Sequence, residues 1–252
     1  MDSEAQTIRQ KIGRFRALVI GRPNAGKTTI LRSIAQSADG RECVSSYLYQ
    51  SVLMTLQRGV HDITNELVFS SNRGFVFHDS RGIEAGTTNE METIQAFISE
   101  RANARSLPHK LHAIWYCIPT DNARLVTAAE EQFFDKIDPN GVPVILIFTK
   151  FESQESDAFH KLQETCSPED ALLEAPHQAR KHFDQKHLHR FMNREYPPQG
   201  IVYLKDMHKE NAECADILEQ TMKALNSDTL KWLLTSVQEV NLKLRIKEML
   251  KR

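Results

Sequence analysis

Apolar runs and helical patterns alternate along most of the chain. Three runs are apolar at nearly every position: Phe15–Ile20, Leu111–Ile118 and Val142–Phe148. Strands that helices bury on both faces have this composition, whereas half-exposed strands alternate apolar and polar residues. Between Glu90 and Arg105, apolar residues recur every three or four positions, as on one face of a helix. The alternation predicts an α/β fold of three layers, with helices on both faces of a mostly parallel sheet. Shorter strands are expected at Glu66–Ser70, Gly74–His78 and Ile201–Leu204.

Two stretches depart from this alternation. Residues 39–65 lack a clear period and are interpreted as a long loop with room for an edge strand. Residues 151–199 are polar and predict a helical insertion, in which Ser167 and Pro168 form a typical helix start. The expected organisation is a polar segment over residues 1–13, a domain over 14–226 that contains the insertion, and an amphipathic helix over 227–252.

Composition narrows the function classes only slightly. The formal net charge is -1, which gives no electrostatic support for nucleic acid as a partner. The four cysteines are widely spaced and form no C-x-x-C pair, as expected of a protein in a reducing cytosol. The polar N-terminus does not resemble a signal peptide, and the longest apolar run, Val144–Phe148, is too short to span a bilayer. A soluble cytoplasmic protein is expected.

A phosphate-binding motif lies between the first predicted strand and the helix that follows it. The run from Gly21 to Thr28 matches G-x-x-x-x-G-K-[ST] at every position. Glycines let backbone N–H groups converge on phosphate oxygens, and the helix adds its positive N-terminal dipole. Lys27 would lie over the β- and γ-phosphates, and the Thr28 hydroxyl can ligate Mg²⁺. The predicted nucleotide-binding residues of this motif are Arg22, Pro23, Asn24, Ala25, Gly26, Lys27, Thr28 and Thr29.

A second motif, Asp79-Ser80-Arg81-Gly82, follows the strand predicted at Gly74–His78. The pattern D-x-x-G is common by itself, but its position at a strand end after the phosphate-binding motif fits the template of phosphoryl-transfer proteins. Asp79 would reach Mg²⁺ through water, and the Gly82 N–H group would meet the γ-phosphate. His78, just before Asp79, is interpreted as a half-buried strand residue.

A third motif, Thr149-Lys150-Phe151-Glu152, ends the strand predicted at Val142–Phe148. The ordered set GRPNAGKT, DSRG and TKFE resembles the G1, G3 and G4 motifs of the translation-factor (TRAFAC) class of P-loop GTPases, in which the last motif is usually N-K-x-D. The resemblance implies that Glu152 pairs with guanine N1–H and N2–H₂, that Lys150 stacks along the base, and that Thr149 replaces the usual Asn. Adenine offers no matching pair of donors, so guanine is favoured.

The resemblance extends beyond these motifs. The segment before Arg124, WYCIPT, is similar to the septin and immunity-associated branch, while G-x-P-N-x-G-K is similar to Era-like GTPases. VFHDSRG, HAIWYCIPTD and IFTKFE resemble most closely a group of largely uncharacterised G-domain proteins of fungi. The resemblance covers roughly residues 14–226. It implies a Ras-like fold with a six-stranded sheet, and places the loop that contacts the base through its backbone near Leu204–His208. Thr55 is the preferred switch threonine for Mg²⁺, with Thr64 as the alternative.

Together the motifs predict a protein that binds GTP and GDP, hydrolyses GTP slowly with Mg²⁺ and acts as a switch. Lys27, Asn24 and Gly82 are the residues expected to act on the γ-phosphate. The residue after Gly82 is Ile83, which cannot orient water as the glutamine of Ras-like enzymes does. Catalysis would then need an activating protein, a nucleotide-dependent homodimer, or a cation such as K⁺ held by Asn24. Arg124, expected at a helix start, is a candidate to act across such a dimer.

The sequence is compatible with several alternatives. The protein could be a non-hydrolysing scaffold whose bound GTP controls dimerisation, or an ATP-using P-loop protein. The C-terminal helix either packs on its own domain, which is favoured, or contacts a partner or a membrane. His182, His187 and His189 of the insertion are spaced five and two residues apart, which fits no i,i+4 pair of metal ligands on a helix, so a solvated helical insertion is expected.

Overall fold

The computed structural model describes residues 13–35, 42–44, 63–69, 72–80, 88–122, 124–209 and 214–249. Within these ranges seven strands form one sheet, in the order β2-β3-β4-β1-β5-β6-β7. The strands are β1 (Phe15–Gly21), β2 (Glu42–Val44), β3 (Leu67–Phe69), β4 (Asn72–Asp79), β5 (Ala113–Pro119), β6 (Val144–Thr149) and β7 (Gly200–Tyr203). The β2–β3 and β3–β4 pairs are antiparallel, and the other four pairs are parallel.

The described helices follow the strands in the βαβ manner that a parallel sheet requires. They are α1 (Lys27–Ala35), α2 (Thr88–Ala102), α3 (Ala128–Lys136), α4 (Glu152–Leu162), α5 (Pro168–Phe183), α6 (His189–Met192), α7 (Ala215–Ala224) and α8 (Asp228–Met249). A short 3₁₀ helix covers Leu107–His109, and a π-helical turn, Asp184–Leu188, joins α5 to α6.

The core lies on both faces of the sheet because successive strand residues point to opposite sides. In β1, Ala17 and Val19 face α1, α7 and α8, whereas Leu18 and Ile20 face α2, α3 and the insertion. All seven residues of β1 and of β5 are buried. The sequence prediction of a three-layer α/β fold with a mostly parallel sheet is therefore confirmed.

Residues 151–199 form a helical insertion between β6 and β7. Its longest helix, α5, begins as the sequence predicts: Ser167 accepts a hydrogen bond from the Asp170 N–H group, and Pro168 takes the first helical position. The insertion packs on the domain through Phe183 and Phe191, which are buried beside Phe148. The insertion is thus part of the core on that face.

The last helix, α8, packs on its own domain over the part whose side chains are described. Leu233, Leu234 and Val237 are buried in the core cluster that contains β1 and α1. Among the helices of the described ranges, none combines the length and the apolarity that crossing a membrane would require.

Three expectations need correction. Within the described residues the sheet has seven strands rather than six, because the three-residue strand β2 lies within a stretch whose sequence shows no period. The helix after β5 begins at Ala128, so Arg124 lies in the preceding loop rather than at a helix start. His78 is fully buried rather than half-buried.

Candidate nucleotide-binding site

The three sequence motifs meet at one edge of the sheet. Gly21 of β1 pairs with Cys117 of β5, and Val19 of β1 pairs with Asp79 at the end of β4. Thr149 closes β6, where it pairs with Pro119. In open α/β sheets, ligands bind outside the carboxyl ends of the strands. The parallel strands therefore bring the motifs together at their carboxyl ends, where a ligand-binding site is expected.

The phosphate-binding loop has backbone conformations that restrict its sequence. A Cβ atom on Gly21 would lie 2.2 Å from the Cys117 carbonyl oxygen, so the first position requires glycine. Gly26 has a φ of +75°, a value that favours glycine. Asn24 has a φ of +60°, the left-handed conformation that Asn tolerates better than most residues. These positions explain why the loop, the residues Gly21–Thr28, has this sequence.

Lys27 opens α1, and its ammonium group is held by the loop itself. Its Nζ atom donates to the carbonyl oxygens of Gly21 at 2.9 Å and of Arg22 at 3.0 Å. The residue is 9% exposed. A cation held by neutral carbonyls inside a loop of this kind suits an anionic phosphate as the additional partner.

Thr149 connects the base-binding motif to the phosphate-binding loop. Its Oγ1 atom donates to the Ala25 carbonyl oxygen at 3.0 Å, and both residues are buried. The Thr120 N–H group in turn donates to the Thr149 carbonyl oxygen at 2.9 Å. The side chain of Thr149 therefore faces the loop and fixes its distance from β6.

Lys150 lies beside the loop that follows β5. Its Nζ atom contacts Asp121 Oδ2 at 2.7 Å, and its carbonyl oxygen accepts from the Thr120 hydroxyl at 2.9 Å. Lys150 has a φ of +57°, a conformation that is uncommon outside glycine and occurs preferentially at functional sites. Asp121 was not predicted from the sequence, because an isolated Asp in a loop carries no signal of its partner.

Glu152 meets the loop after β7, where the sequence places the backbone contact to the base. Its Oε2 atom accepts from the Asp206 N–H group at 3.0 Å. Ligand atoms of Glu152, Asp206 and His208 lie within 4.8 Å of one another. Asp206 also pairs with Lys209 at 2.9 Å, and that hydrogen bond lowers the pKa of the Asp206 carboxyl. The cluster is therefore partly neutralised by a side chain of its own loop.

Two of the predicted metal ligands are described. Thr28 is half-buried at the start of α1, and Asp79 is half-buried at the end of β4. A hydroxyl and a carboxylate are hard oxygen donors of the kind that Mg²⁺ prefers, so these residues fit that ion. Thr55 and Gly82 lie outside the described residues. The alternative, Thr64, is exposed shortly before β3.

The guanidinium of Arg22 contacts α3 and the segment between β5 and α3. It lies against the carboxylate of Glu130, with an Nε–Oε1 distance of 2.8 Å. It also donates to the carbonyl oxygens of Arg124 at 2.9 Å and of Leu125 at 2.6 Å. Glu130 was not predicted from the sequence, although Thr127-x-x-Glu130 has the capping-box spacing that marks a helix start.

A buried polar cluster lies behind the Asp79 end of β4. The guanidinium of Arg16 contacts Glu66 Oε1 at 2.7 Å and His78 Nε2 at 2.6 Å. Its backbone N–H group donates to His112 Nδ1 at 2.9 Å. Burial lowers the pKa of both histidines to about 4. Both rings are therefore neutral near pH 7.

The order of the strands and the loop at the end of β1 define a P-loop nucleotide-binding domain. The family model described as 50S ribosome-binding GTPase matches residues 16–150, which is more than half of the 252 residues. The chain belongs to that GTPase family, and its domain is of the guanine-nucleotide-binding type. No curated relative matches the chain. The resemblance to fungal G-domain proteins stays a prediction.

Two solved structures illustrate how distant the similar folds are. One is the ADP ribosylation factor-like GTP-binding protein, small COPII coat GTPase SAR1, from Encephalitozoon cuniculi in complex with GDP. It is 14% identical, with 97% of this chain and 91% of that chain covered and a TM-score of 0.41. The other is the G domain of the T. maritima FeoB iron transporter, 14% identical, with coverages of 84% and 98% and a TM-score of 0.41. Values this low add nothing to the family assignment.

Proposed function

We propose that this protein binds GTP and GDP, hydrolyses GTP slowly with Mg²⁺, and acts as a switch. The observation that carries the proposal is the hydrogen bond from Thr149 to the Ala25 carbonyl oxygen. It joins the phosphate-binding loop to the motif that ends in the Glu152 carboxylate, and one nucleotide would contact both.

The phosphate half of the site rests on the loop and the start of α1. Lys27 offers the charge for the β- and γ-phosphates, while the loop N–H groups and the exposed Thr29 complete the contacts. Thr28 and Asp79 would hold Mg²⁺, which neutralises phosphate charge when it is bound.

The base half supports guanine over adenine. Glu152 lies in the fourth position of its motif, and a carboxylate can accept from the N1–H and N2–H₂ groups of guanine. Its contact with the Asp206 N–H group leaves the other carboxylate oxygen, Oε1, for such a donor. Lys150, beside Asp121, is the candidate to stack along the base.

Slow turnover is proposed because the position after Gly82 holds Ile83, which can neither donate nor accept a hydrogen bond. An activating protein or a second copy of the chain would then complete the site. The family description names ribosome binding, but the formal net charge of -1 gives no reason to extend that property to this chain.

Two measurements test the proposal. Nucleotide that is released from gently purified protein should be GDP or GTP, and Lys27→Ala should lose it, because the variant lacks the ammonium group at the phosphates. A single-turnover assay with Mg²⁺ should then show slow formation of GDP. Recovery of adenine nucleotide would instead support an ATP-using protein, and bound GTP that is never hydrolysed would support a scaffold.

A further inference from the structure

The carboxylate of Glu130, on α3, is almost completely buried, with 1% of the side chain exposed. Oε2 accepts hydrogen bonds from the N–H group of Thr127 at 2.6 Å and from the Thr127 hydroxyl, and so caps α3. Oε1 lies 2.8 Å from Nε of Arg22, the second residue of the phosphate-binding loop. One carboxylate therefore joins the start of α3 to the loop.

The loop end of this pair is also enclosed. The side chain of Arg22 is 13% exposed, and its guanidinium donates to the carbonyl oxygens of Arg124 and Leu125. The carbonyl oxygen of the same residue accepts from Lys27 Nζ at 3.0 Å. A continuous series of polar contacts thus runs from Glu130 through Arg22 to the lysine that is expected to meet the phosphates.

We propose that Glu130 is a positioning residue for the phosphate-binding loop, acting through Arg22, and that it sets the affinity for the β-phosphate of a bound nucleoside diphosphate. This inference rests on the proposed function, since it presumes that the loop binds a nucleotide. Removing one partner of a buried ion pair leaves an uncompensated charge, which strongly favours rearrangement of the other partner. Here the other partner is part of the loop.

Glu130→Gln separates the two roles of this residue. Glutamine can replace glutamate in a capping box, because its amide oxygen still accepts the Thr127 N–H hydrogen bond. It carries no charge to pair with the guanidinium of Arg22. The variant is therefore expected to keep α3 folded and to lose the ion pair between residue 130 and Arg22 of the loop.

The neighbouring residue provides a matched control. Glu131 lies on the same helix and also pairs with arginines, Arg190 at 2.7 Å and Arg194 at 2.8 Å. Both arginines belong to the insertion, not to the phosphate-binding loop. Glu131→Gln thus neutralises a paired carboxylate of α3 without touching Arg22.

The experiment measures dissociation constants for GDP and GMP by competition with a fluorescent GDP analogue, and binding stoichiometry by calorimetry with GDP. Glu130→Gln should weaken GDP binding by about tenfold or more, the size expected for a charged contact, and GMP binding by less than about threefold. Glu131→Gln should change neither constant. The stoichiometry for GDP should stay that of the wild type, because a merely structural defect would reduce the active fraction instead.

Arg22→Lys tests the pair from the loop side, in case Glu130→Gln does not fold. A lysine ammonium cannot contact the carboxylate and both carbonyl oxygens in the geometry of a guanidinium, so the same selective loss of GDP affinity is expected. An equal loss for GDP and GMP, or wild-type GDP affinity in the folded variants, would overturn the inference alone. Absence of guanine-nucleotide binding by the wild-type protein would overturn the proposed function as well.

Discussion

Thr149 shows how one hydroxyl group can shape the nucleotide site. Its Oγ1 atom donates to the carbonyl oxygen of Ala25 at 3.0 Å in a buried environment. The asparagine that is usual at this position in the GTPases that the chain resembles carries amide donors. The threonine hydroxyl supplies the single donor that this contact needs. The residue that departs from the usual motif therefore links that motif to the phosphate-binding loop.

The first prediction tests that link. In Thr149→Val the valine side chain has nearly the same shape as threonine but cannot donate to the buried Ala25 carbonyl oxygen. An unsatisfied buried acceptor costs about 1–3 kcal/mol of free energy. We expect GDP affinity about tenfold lower for Thr149→Val, and within about twofold of the wild type for Thr149→Ser, which keeps a hydroxyl. Titration calorimetry measures both. Wild-type affinity in Thr149→Val would show that the contact does not position the loop.

The second prediction concerns base selection by Glu152. A carboxylate that faces adenine has no N1–H or N2–H₂ donor to accept from, and an unmatched polar group at a binding site costs affinity. The wild-type protein should therefore bind GDP with an affinity more than about tenfold higher than its affinity for ADP. Glu152→Ala should remove most of this preference, and Glu152→Asp should retain it. Competition binding measures the ratio, and equal wild-type affinities would contradict the guanine assignment.

At the scale of elements, the sequence predicts best where one motif constrains every residue. β1, the phosphate-binding loop and α1 could be predicted because glycine, lysine and threonine each have a required place there. The contacts of the segment between β5 and α3 could not be predicted, because they involve residues far away in the chain. Glu130 has a local signal as a helix cap, but its pairing with Arg22 exists only once the strands are in register.

The third prediction concerns the cluster that joins β1 to β4. The Arg16 guanidinium can only donate, so His78 Nε2 accepts from it and His78 Nδ1–H donates to the carbonyl oxygen of Ile63 at 2.9 Å. His112 accepts the Arg16 N–H group at Nδ1, so its Nε2–H donates to the Leu107 carbonyl oxygen. Each ring is neutral, and the two carry their protons on different nitrogens.

These histidines make stability depend on pH. Their pKa is about 4 in the folded protein and about 6.5 in an unfolded chain, so the unfolded chain binds more protons between these values. The free energy of unfolding should therefore decrease as pH falls from about 6.5 towards 4, by up to about 1.4 kcal/mol per pH unit for each histidine. Urea unfolding across this range measures the slope.

Variants identify the source of that slope. His78→Gln and His112→Gln should each reduce this slope by up to about 1.4 kcal/mol per pH unit, which corresponds to about one proton. The reduction is expected whatever the effect of the substitution on stability at pH 7.5. His177→Gln is the control, because His177 is exposed on α5. A slope that neither buried variant changes would mean that these rings do not stay neutral in the folded protein.

At the scale of the molecule, the insertion separates two residues of the proposed base site along the chain, and the sheet brings them together. Glu152 begins α4, and its partner Asp206 follows β7, on the far side of the insertion. Parallel pairing of β6 with β7 brings the two together, with Phe148 aligned to Tyr203. The family match ends at residue 150, so Glu152 and Asp206 both lie in the part of the chain beyond it.

The last prediction concerns turnover by the whole molecule. Ile83 cannot orient water, so the dilute protein in sodium buffer should hydrolyse GTP slowly. A second copy of the chain, or a cation at the phosphates, would supply the catalytic contact that Ile83 cannot make. Asn24, exposed in the phosphate-binding loop, is the candidate to hold potassium, and Arg124, exposed in the loop before α3, is the candidate to act across a dimer.

Turnover should therefore increase in potassium buffer, at high protein concentration, or under both conditions. Asn24→Ala should abolish an increase caused by potassium, and Arg124→Ala should reduce an increase caused by concentration. The carbonyl oxygen of Arg124, which binds Arg22, is unchanged in that variant, so GDP affinity serves as the control for each protein. Fast hydrolysis by dilute protein, equal in sodium and potassium, would show that another residue of this chain positions the attacking water despite Ile83.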